Sequence, residues 1–159
     1  MAPELTVSEA DENEFAEFLQ TKIREFNNVH SPHHLAARRP GAVRPLHLML
    51  KDEAGQVVGG LSAHTYWDWL EVDDLYVPEN WRGQGLGSSL LQTAEAVAAG
   101  RGARHSFLTT FAFQARGFYE KHGYTVAGTL EDYPPGAAYY WMRKDLAPDA
   151  GIHSCQRLP

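Results

Sequence analysis

Three glycines and an arginine in the stretch Leu75-Tyr-Val-Pro-Glu-Asn-Trp-Arg-Gly-Gln-Gly-Leu-Gly-Ser88 are arranged to bind an anion. Gly83, Gly85 and Gly87 stand at the start of a helical pattern. Glycines there let the backbone approach a ligand, and the free N–H groups and positive end of the helix point at it. Arg82 adds charge where phosphate oxygens would sit. The segment lacks the Gly-Lys-Ser/Thr of a Walker loop, and its glycines are too compressed for the dinucleotide pattern G-x-G-x-x-G. Just upstream, Glu71 and Asp73 lie in a β-rich run. The two-residue period of a strand puts 71, 73 and 75 on one face and Asp74 on the other, unless a bulge shifts the parity. Carboxylates so placed can accept a proton from an ammonium group or hold a cation.

Further acidic and aromatic residues point the same way. Asp68 shares the run with Glu71 and Asp73, and Glu131 and Asp132 open a later loop. Trp67, Trp69, Tyr133 and Tyr139 add aromatic faces, which together with negative charge suit a small cationic amine. His64 reads as a satisfied structural histidine rather than a base. His30, His33 and His34 crowd together, yet no acidic residue or Cys joins them within 28–45. Pro32 also disturbs a helical His-x-x-x-His arrangement, so no metal site is expected there.

The elements that must position these groups follow from periodicity. Pro3 to Ser8 reads as a short strand, and Asp11 to Asn27 as a helix with the stripe Phe15, Phe18, Leu19, Ile23 and Phe26, capped by Asp11 or Asn13. Residues 28–45 read as a loop that includes Asn28, His30 and His34. Strands are expected over Leu46–Leu50, Gln56–Tyr66 and Trp69–Val77, with Asp52-Glu53-Ala54-Gly55 turning between the first two. Gly85 to Ala99 is a helix with Leu86, Leu90, Ala94 and Val97 on one face, and Gly100 suits its left-handed cap. A strand over Arg104–Thr109, a short helix Phe113–His122 capped by Gly123, and strands Tyr124–Leu130 and Ala138–Arg143 complete the chain. That mixture is an α+β pattern.

Composition bounds the function. The 159 residues carry 14 Lys+Arg against 20 Asp+Glu, a formal net charge of −6. That balance disfavours nucleic-acid and anionic-membrane partners, which need a basic surface. The lone Cys155 rules out an internal disulfide and a zinc ribbon. Neither a signal peptide nor an 18-residue apolar run is visible, so a cytoplasmic location is expected.

Arg82-Gly-Gln-Gly85-Leu-Gly87 resembles the R/Q-x-x-G-x-G/A pyrophosphate loop of the GNAT superfamily of acyl-CoA-dependent N-acyltransferases. The strand Asp74-Leu-Tyr-Val77 before it and the helix through Ala99 after it fit the same family. So does Ala115-x-x-Phe-Tyr119-x-x-x-Gly123-Tyr124, in matching order and spacing. The resemblance covers residues 4–146 and is strongest over 70–125. It implies a GNAT-like α+β fold: a central mixed, mostly antiparallel twisted sheet of about six to seven strands, flanked by helices and splayed at the acyl-CoA site. One domain is expected over 1–146, with a flexible tail over 147–159.

The same resemblance implies site residues and partners. Acetyl-CoA would be the co-substrate, with no metal. Its pyrophosphate would lie against Arg82, Gly83, Gln84, Gly85, Leu86, Gly87 and Ser88, and its pantetheine against a bulged strand at Leu75, Tyr76 and Val77. An amide in that strand would stabilise the oxyanion formed during transfer. Ala112 stands where the family often has Asn, so that polar contact would be either absent or supplied by Thr110 or Gln114. Tyr119 falls on the general-acid position, and Glu71 and Asp73 on positions of ionisable groups facing the substrate. The implied activity is acetyl transfer to a primary amine of a small, cationic molecule, as in antibiotic resistance or detoxification. A homodimer is common among such proteins. A protein or peptide amine, or acyl-CoA binding without catalysis, remain as alternatives.

Overall fold

The computed structural model describes residues 3–146. The chain divides into two compact units, Met1–Ala42 and Val43–Pro159. Cys155 and the expected 147–159 tail lie outside the described residues.

The first unit holds α1 (Asn13–His30) and α2 (Pro32–Ala36). α1 begins behind Glu12 with no side-chain cap, so neither Asp11 nor Asn13 plays that part. The expected loop at 28–45 instead contains the end of α1 and all of α2. Ser31 explains the change: its Oγ accepts from the His34 N–H at 3.3 Å, and Pro32 occupies the first helical position, where a missing N–H does no harm. No strand forms at Pro3–Ser8; two alternating apolar residues, Leu5 and Val7, are too few to hold one, and both are exposed.

The second unit is built on six strands: β1 (Arg44–Lys51), β2 (Val57–Tyr66), β3 (Trp69–Tyr76), β4 (His105–Phe111), β5 (Thr125–Glu131) and β6 (Ala138–Asp145). Their order is β1-β2-β3-β4-β6-β5. β3 and β4 run parallel, and the other neighbours are antiparallel. The β1–β2 turn is the expected one, with Gly55 at φ +78° and Asp52 Oδ1 accepting from the Gln56 N–H at 2.8 Å. Between β2 and β3 the chain turns on two residues, Trp67 and Asp68, both at positive φ. Two consecutive left-handed residues match the right-handed twist of the flanking strands.

α3 (Leu86–Gly100) packs on the sheet through Leu90, Leu91, Ala94 and Ala98. The two alanines are fully buried, and their short side chains bring the helix close to the strands. Val97, expected on that face, is partly exposed. Gly100 stays helical, and Gly102 (φ +95°) is the left-handed residue. Gly102 N–H reaches Ala99 O, and Ala103 N–H reaches Ala98 O, both at 2.9 Å, which satisfies the last carbonyls of the helix. α4 (Arg116–Lys121) is shorter than expected, because Gln114 Oε1 accepts from the Phe111 N–H at 2.9 Å and holds 111–115 as a turn. Gly123 follows at φ +85° as expected. Leu61, Ala63, Leu70, Val72, Leu108 and Met142 line the sheet side of the core, which continues into Tyr119 and Tyr124. Among the described residues, no helix is long and apolar enough to cross a membrane.

Gly59 and Gly60 in β2 allow three strands to close on one another. A Cβ on Gly59 would lie 2.7 Å from Tyr76 O, and one on Gly60, at φ +149°, would lie 2.1 Å from Leu48 O. Both obstacles are backbone atoms that cannot rotate away. Gly60→Ala is expected to destabilise the protein by about 2–4 kcal/mol, measured by denaturant unfolding. Gly41→Ala serves as a control that strains only a turn, because nothing lies within 4 Å of its Cβ position.

Candidate active site

One extra residue shapes the site. β2 and β3 pair His64 with Glu71 and Ala63 with Val72, but the next pair is Ser62 with Asp74. Asp73 is therefore a bulge with no partner in β2. Side-chain parity changes across it. Leu70 and Val72 face the core before the bulge, and Leu75 and Val77 face it after. The expected grouping of 71, 73 and 75 is corrected accordingly: Leu75 lies on the opposite face from Glu71. Asp74, opposite Ser62, comes to the Glu71 side rather than away from it.

The same residue ends the contact between the two parallel strands. β3 and β4 pair from Trp69–His105 to Val72–Leu108 and no further, although both strands continue. A cavity of about 740 Å³ opens in that gap. Asp73, Asp74, Leu75, Tyr76 and Val77 line it from β3, and Thr109 and Thr110 from β4. Arg82, Gly83, Gly85, Leu86, Gly87 and Ser88 line it from the glycine-rich loop and the first turn of α3. Phe113, Gln114, Ala115, Phe118 and Tyr119 close it from the α4 side.

The loop end of the cavity is built for an anion. Gly83 and Gly85 adopt φ +75° and +81°, where other side chains would be strained. The first bond inside α3 runs from the Ser89 N–H to Gly85 O, so the preceding amides are free of intrahelical partners. Arg82 Nε donates to Val77 O at 2.9 Å, which fixes the guanidinium beside those amides. Ser88 Oγ is engaged with His122 Nε2 at 2.9 Å, leaving its backbone N–H for a ligand. Gly87 packs near Phe118 and Leu75, where a Cβ would meet ordinary contacts at 3.5 and 3.9 Å. Donors of this kind fit a pyrophosphate.

Tyr119 lies in the wall of the cavity, with its ring against Phe118 and Tyr124. It is 7% exposed, and burial pushes its pKa above the ordinary tyrosine value. The phenol therefore holds its proton through neutral pH.

Two site candidates lie away from the cavity lining. Gln84 turns its side chain to Asn80 O at 3.3 Å. Glu71 accepts from the Tyr66 hydroxyl at 2.9 Å and faces His64. Of the residues expected to form an acidic, aromatic acceptor side, Asp68 pairs instead with Arg104 at 2.8 Å, beside the Trp69–His105 pair. Asp132 Oδ1 accepts from the Gly136 N–H within its own loop. Tyr133 and Tyr139 pack on Phe111, whose ring stacks on Phe113 at the cavity.

Several groups here escaped the sequence reading. Trp81, Thr109, Phe113 and Phe118 line the cavity, and His64 bridges Glu71 and Asp73. The signal for His64 was present. A two-residue turn at 67–68 pairs 66 with 69, and therefore 64 with 71. Among the described residues, His64, Glu71 and Asp73 are the grouping with ligand atoms within 4.8 Å of one another.

A profile of the Acetyltransferase (GNAT) family matches residues 9–124. The chain belongs to the GNAT family of acetyltransferases. This acetyltransferase is 40% identical over 131 residues to the blasticidin-S acetyltransferase of Streptomyces morookaense, covering 79% of the chain and 96% of that relative. It is 37% identical over 101 residues to an acetyltransferase of Agrobacterium fabrum, covering 64% of the chain and 74% of that relative. Its fold matches a crystal structure of an acetyltransferase from Bacillus cereus with a TM-score of 0.73 and 30% identity, over 89% of this chain and 98% of that one. The six-stranded mixed sheet is that of the family, within the expected range of strands.

Burial also governs two other tyrosines of this acetyltransferase. Tyr66 is pushed up to about 12 by burial first, then by its hydrogen bond to Glu71 and the charges of Glu71 and Asp73. Tyr124 is raised chiefly by burial. In an alkaline titration followed by phenolate absorbance, these two and Tyr119 should ionise above the ordinary tyrosine value. The unfolded chain loses the same protons near pH 10, before the folded chain does. Their contribution to stability is therefore complete below about pH 10 and should fall as pH rises above it, which alkaline melting curves would show.

Proposed function

We propose that this acetyltransferase moves the acetyl group of acetyl-CoA to a primary amine of a small cationic molecule, in an antibiotic-resistance or detoxifying role. One observation carries the reading: a single cavity brings free helix-terminal amides and Arg82, a protonated tyrosine and two adjacent carboxylates together. The name of the Streptomyces relative supports an antibiotic as acceptor.

In this reading the amides from Gly83 to Ser88, with Arg82, hold the pyrophosphate, and the unpaired stretch of β3 at Leu75, Tyr76 and Val77 lies along the pantetheine. The bound thioester supplies an activated acyl group. Thr110 and Gln114 in the lining are candidates for the polar contact that Ala112 does not make, although Gln114 Oε1 is already held by the Phe111 N–H. Alkyl ammonium groups, like that of Lys, have pKa values near 10.4 and are almost wholly protonated at neutral pH, so the acceptor must lose a proton before its nitrogen can attack. In this reading Asp73, in the cavity lining, takes it, and Asp74 adds negative charge that draws a cation in. Tyr119 holds a proton at its phenolic oxygen for the departing thiolate.

Thiol release from acetyl-CoA should be measured against a panel of small amines that includes blasticidin S. One or more amines should give turnover, and Tyr119→Phe should lower kcat by about 10²-fold while acetyl-CoA still raises its melting temperature. Full kcat in that variant would remove Tyr119 from the role. Acetyl-CoA binding without turnover on any amine would favour a binding-only role.

A further inference from the structure

Asp73 and Glu71 are joined by a residue that the family resemblance leaves without a role. His64 of β2 lies opposite Glu71, with Nε2 3.4 Å from Glu71 Oε2 and Nδ1 3.1 Å from Asp73 Oδ2. The Tyr66 hydroxyl donates to the same Glu71 oxygen at 2.9 Å, and the Tyr66 ring stacks on the imidazole with centroids 5.3 Å apart. The imidazole is thus held with one nitrogen toward each carboxylate. Only one of those carboxylates, Asp73, lines the cavity. The three side chains are each partly exposed, so the line from the cavity to Glu71 ends within reach of water.

We propose that His64 relays a proton from Asp73 to Glu71, and so carries the acceptor ammonium's proton out of the cavity. The proposal rests on the acetyltransfer reading above and adds to it an exit path and the residue that makes it. A carboxylate that has taken a proton cannot serve again until it is emptied. With donor and acceptor filling the cavity, water is displaced from that side of Asp73. A neutral imidazole holds hydrogen on one nitrogen and accepts on the other.

With that hydrogen on Nε2, the steps balance. The ammonium N–H passes its proton to Asp73 Oδ2, and the electron pair left on nitrogen is free to attack. Asp73 passes the proton to Nδ1 of His64, while Nε2 releases its own to Glu71 Oε2. Glu71 gives that proton to water, and exchange with water returns the imidazole to its first tautomer. One proton leaves the ammonium and one appears in solvent. His64 does not itself touch the reacting atoms.

The test uses the full chain with an amine that the wild type acetylates, and the variants His64→Gln, His64→Ala and Asp73→Asn. Glutamine keeps a donor and an acceptor but cannot pass a proton through. Both His64 variants should lose about 10²-fold in kcat, at the lower edge of what proton transfer contributes, with KM for acetyl-CoA unchanged. His64→Gln should melt near the wild-type temperature. Added imidazole should restore kcat to His64→Ala in a concentration-dependent way. It should not restore Asp73→Asn, which lacks the first proton acceptor. Full kcat in His64→Gln, or a loss in His64→Ala that imidazole leaves unchanged, would overturn the relay while acetyl transfer by the wild type stands. Absence of wild-type turnover on every amine would overturn the acetyltransfer reading and the relay together.

Discussion

The unpaired residue Asp73 in β3 sets the geometry on which the rest of the site depends. A strand with one extra residue cannot keep its side-chain alternation, and the core absorbs the change by taking Leu70 and Val72 before the bulge and Leu75 and Val77 after it. Both halves of β3 stay anchored to the same hydrophobic layer. The parallel pairing with β4 survives only up to Val72, so the backbone from Asp73 to Tyr76 is free on its β4 side. On its other side β4 stays paired with β6 through Thr109, Thr110 and Phe111, so the sheet continues past the gap. Gly59 and Gly60 complete the arrangement, because only bare backbone lets β2 sit against Tyr76 and Leu48 at once.

Charge is distributed unevenly along that gap. Free amides of α3 and the Arg82 guanidinium lie at one part of it, and the carboxylates of Asp73 and Asp74 at another. Tyr119 contributes the opposite kind of group, a neutral phenol whose burial suppresses ionisation. The two kinds of group differ in their environment. Asp73 is partly exposed on a strand edge, and Tyr119 is enclosed by Phe118 and Tyr124. Membership of the GNAT family accounts for the loop and the splayed strands. The chain's own residues, Asp73, Asp74 and His64 among them, give the cavity its particular chemistry.

Much of this was legible in the chain itself, wherever the signal was local. The glycine spacing at 83, 85 and 87 announces a helix N-terminus open to an anion, and the apolar period of 86–98 places α3 on the sheet. The six strands of the second unit follow from short β-rich runs between turn residues, with Asp52–Gly55 turning as its residue types require. Ser31 and Pro32 also carry a local signal, a cap followed by a first-turn proline, which marks a new helix where a loop was expected. The left-handed residue after α3 is Gly102 rather than Gly100, and its N–H reaches Ala99 O while those of Arg101 and Ala103 reach Ala98 O.

What the chain could not state by itself depends on pairing between distant segments. The parity of Glu71, Asp73 and Leu75 changes with a single bulge, and a bulge is defined by the partner strand. The removal of Asp68 from the acidic group results from its ion pair with Arg104, 36 residues away in sequence. The selection of Asp73 over Glu71 at the cavity, and the bridging of the two by His64, arise only when β2, β3 and β4 are in register. The family, the glycine-rich loop and the identity of the titratable groups are readable from the chain alone, because those are properties of residue type and short spacing. Tertiary structure decided which of those groups meet, because register and strand divergence are settled by long-range hydrogen bonding and core packing.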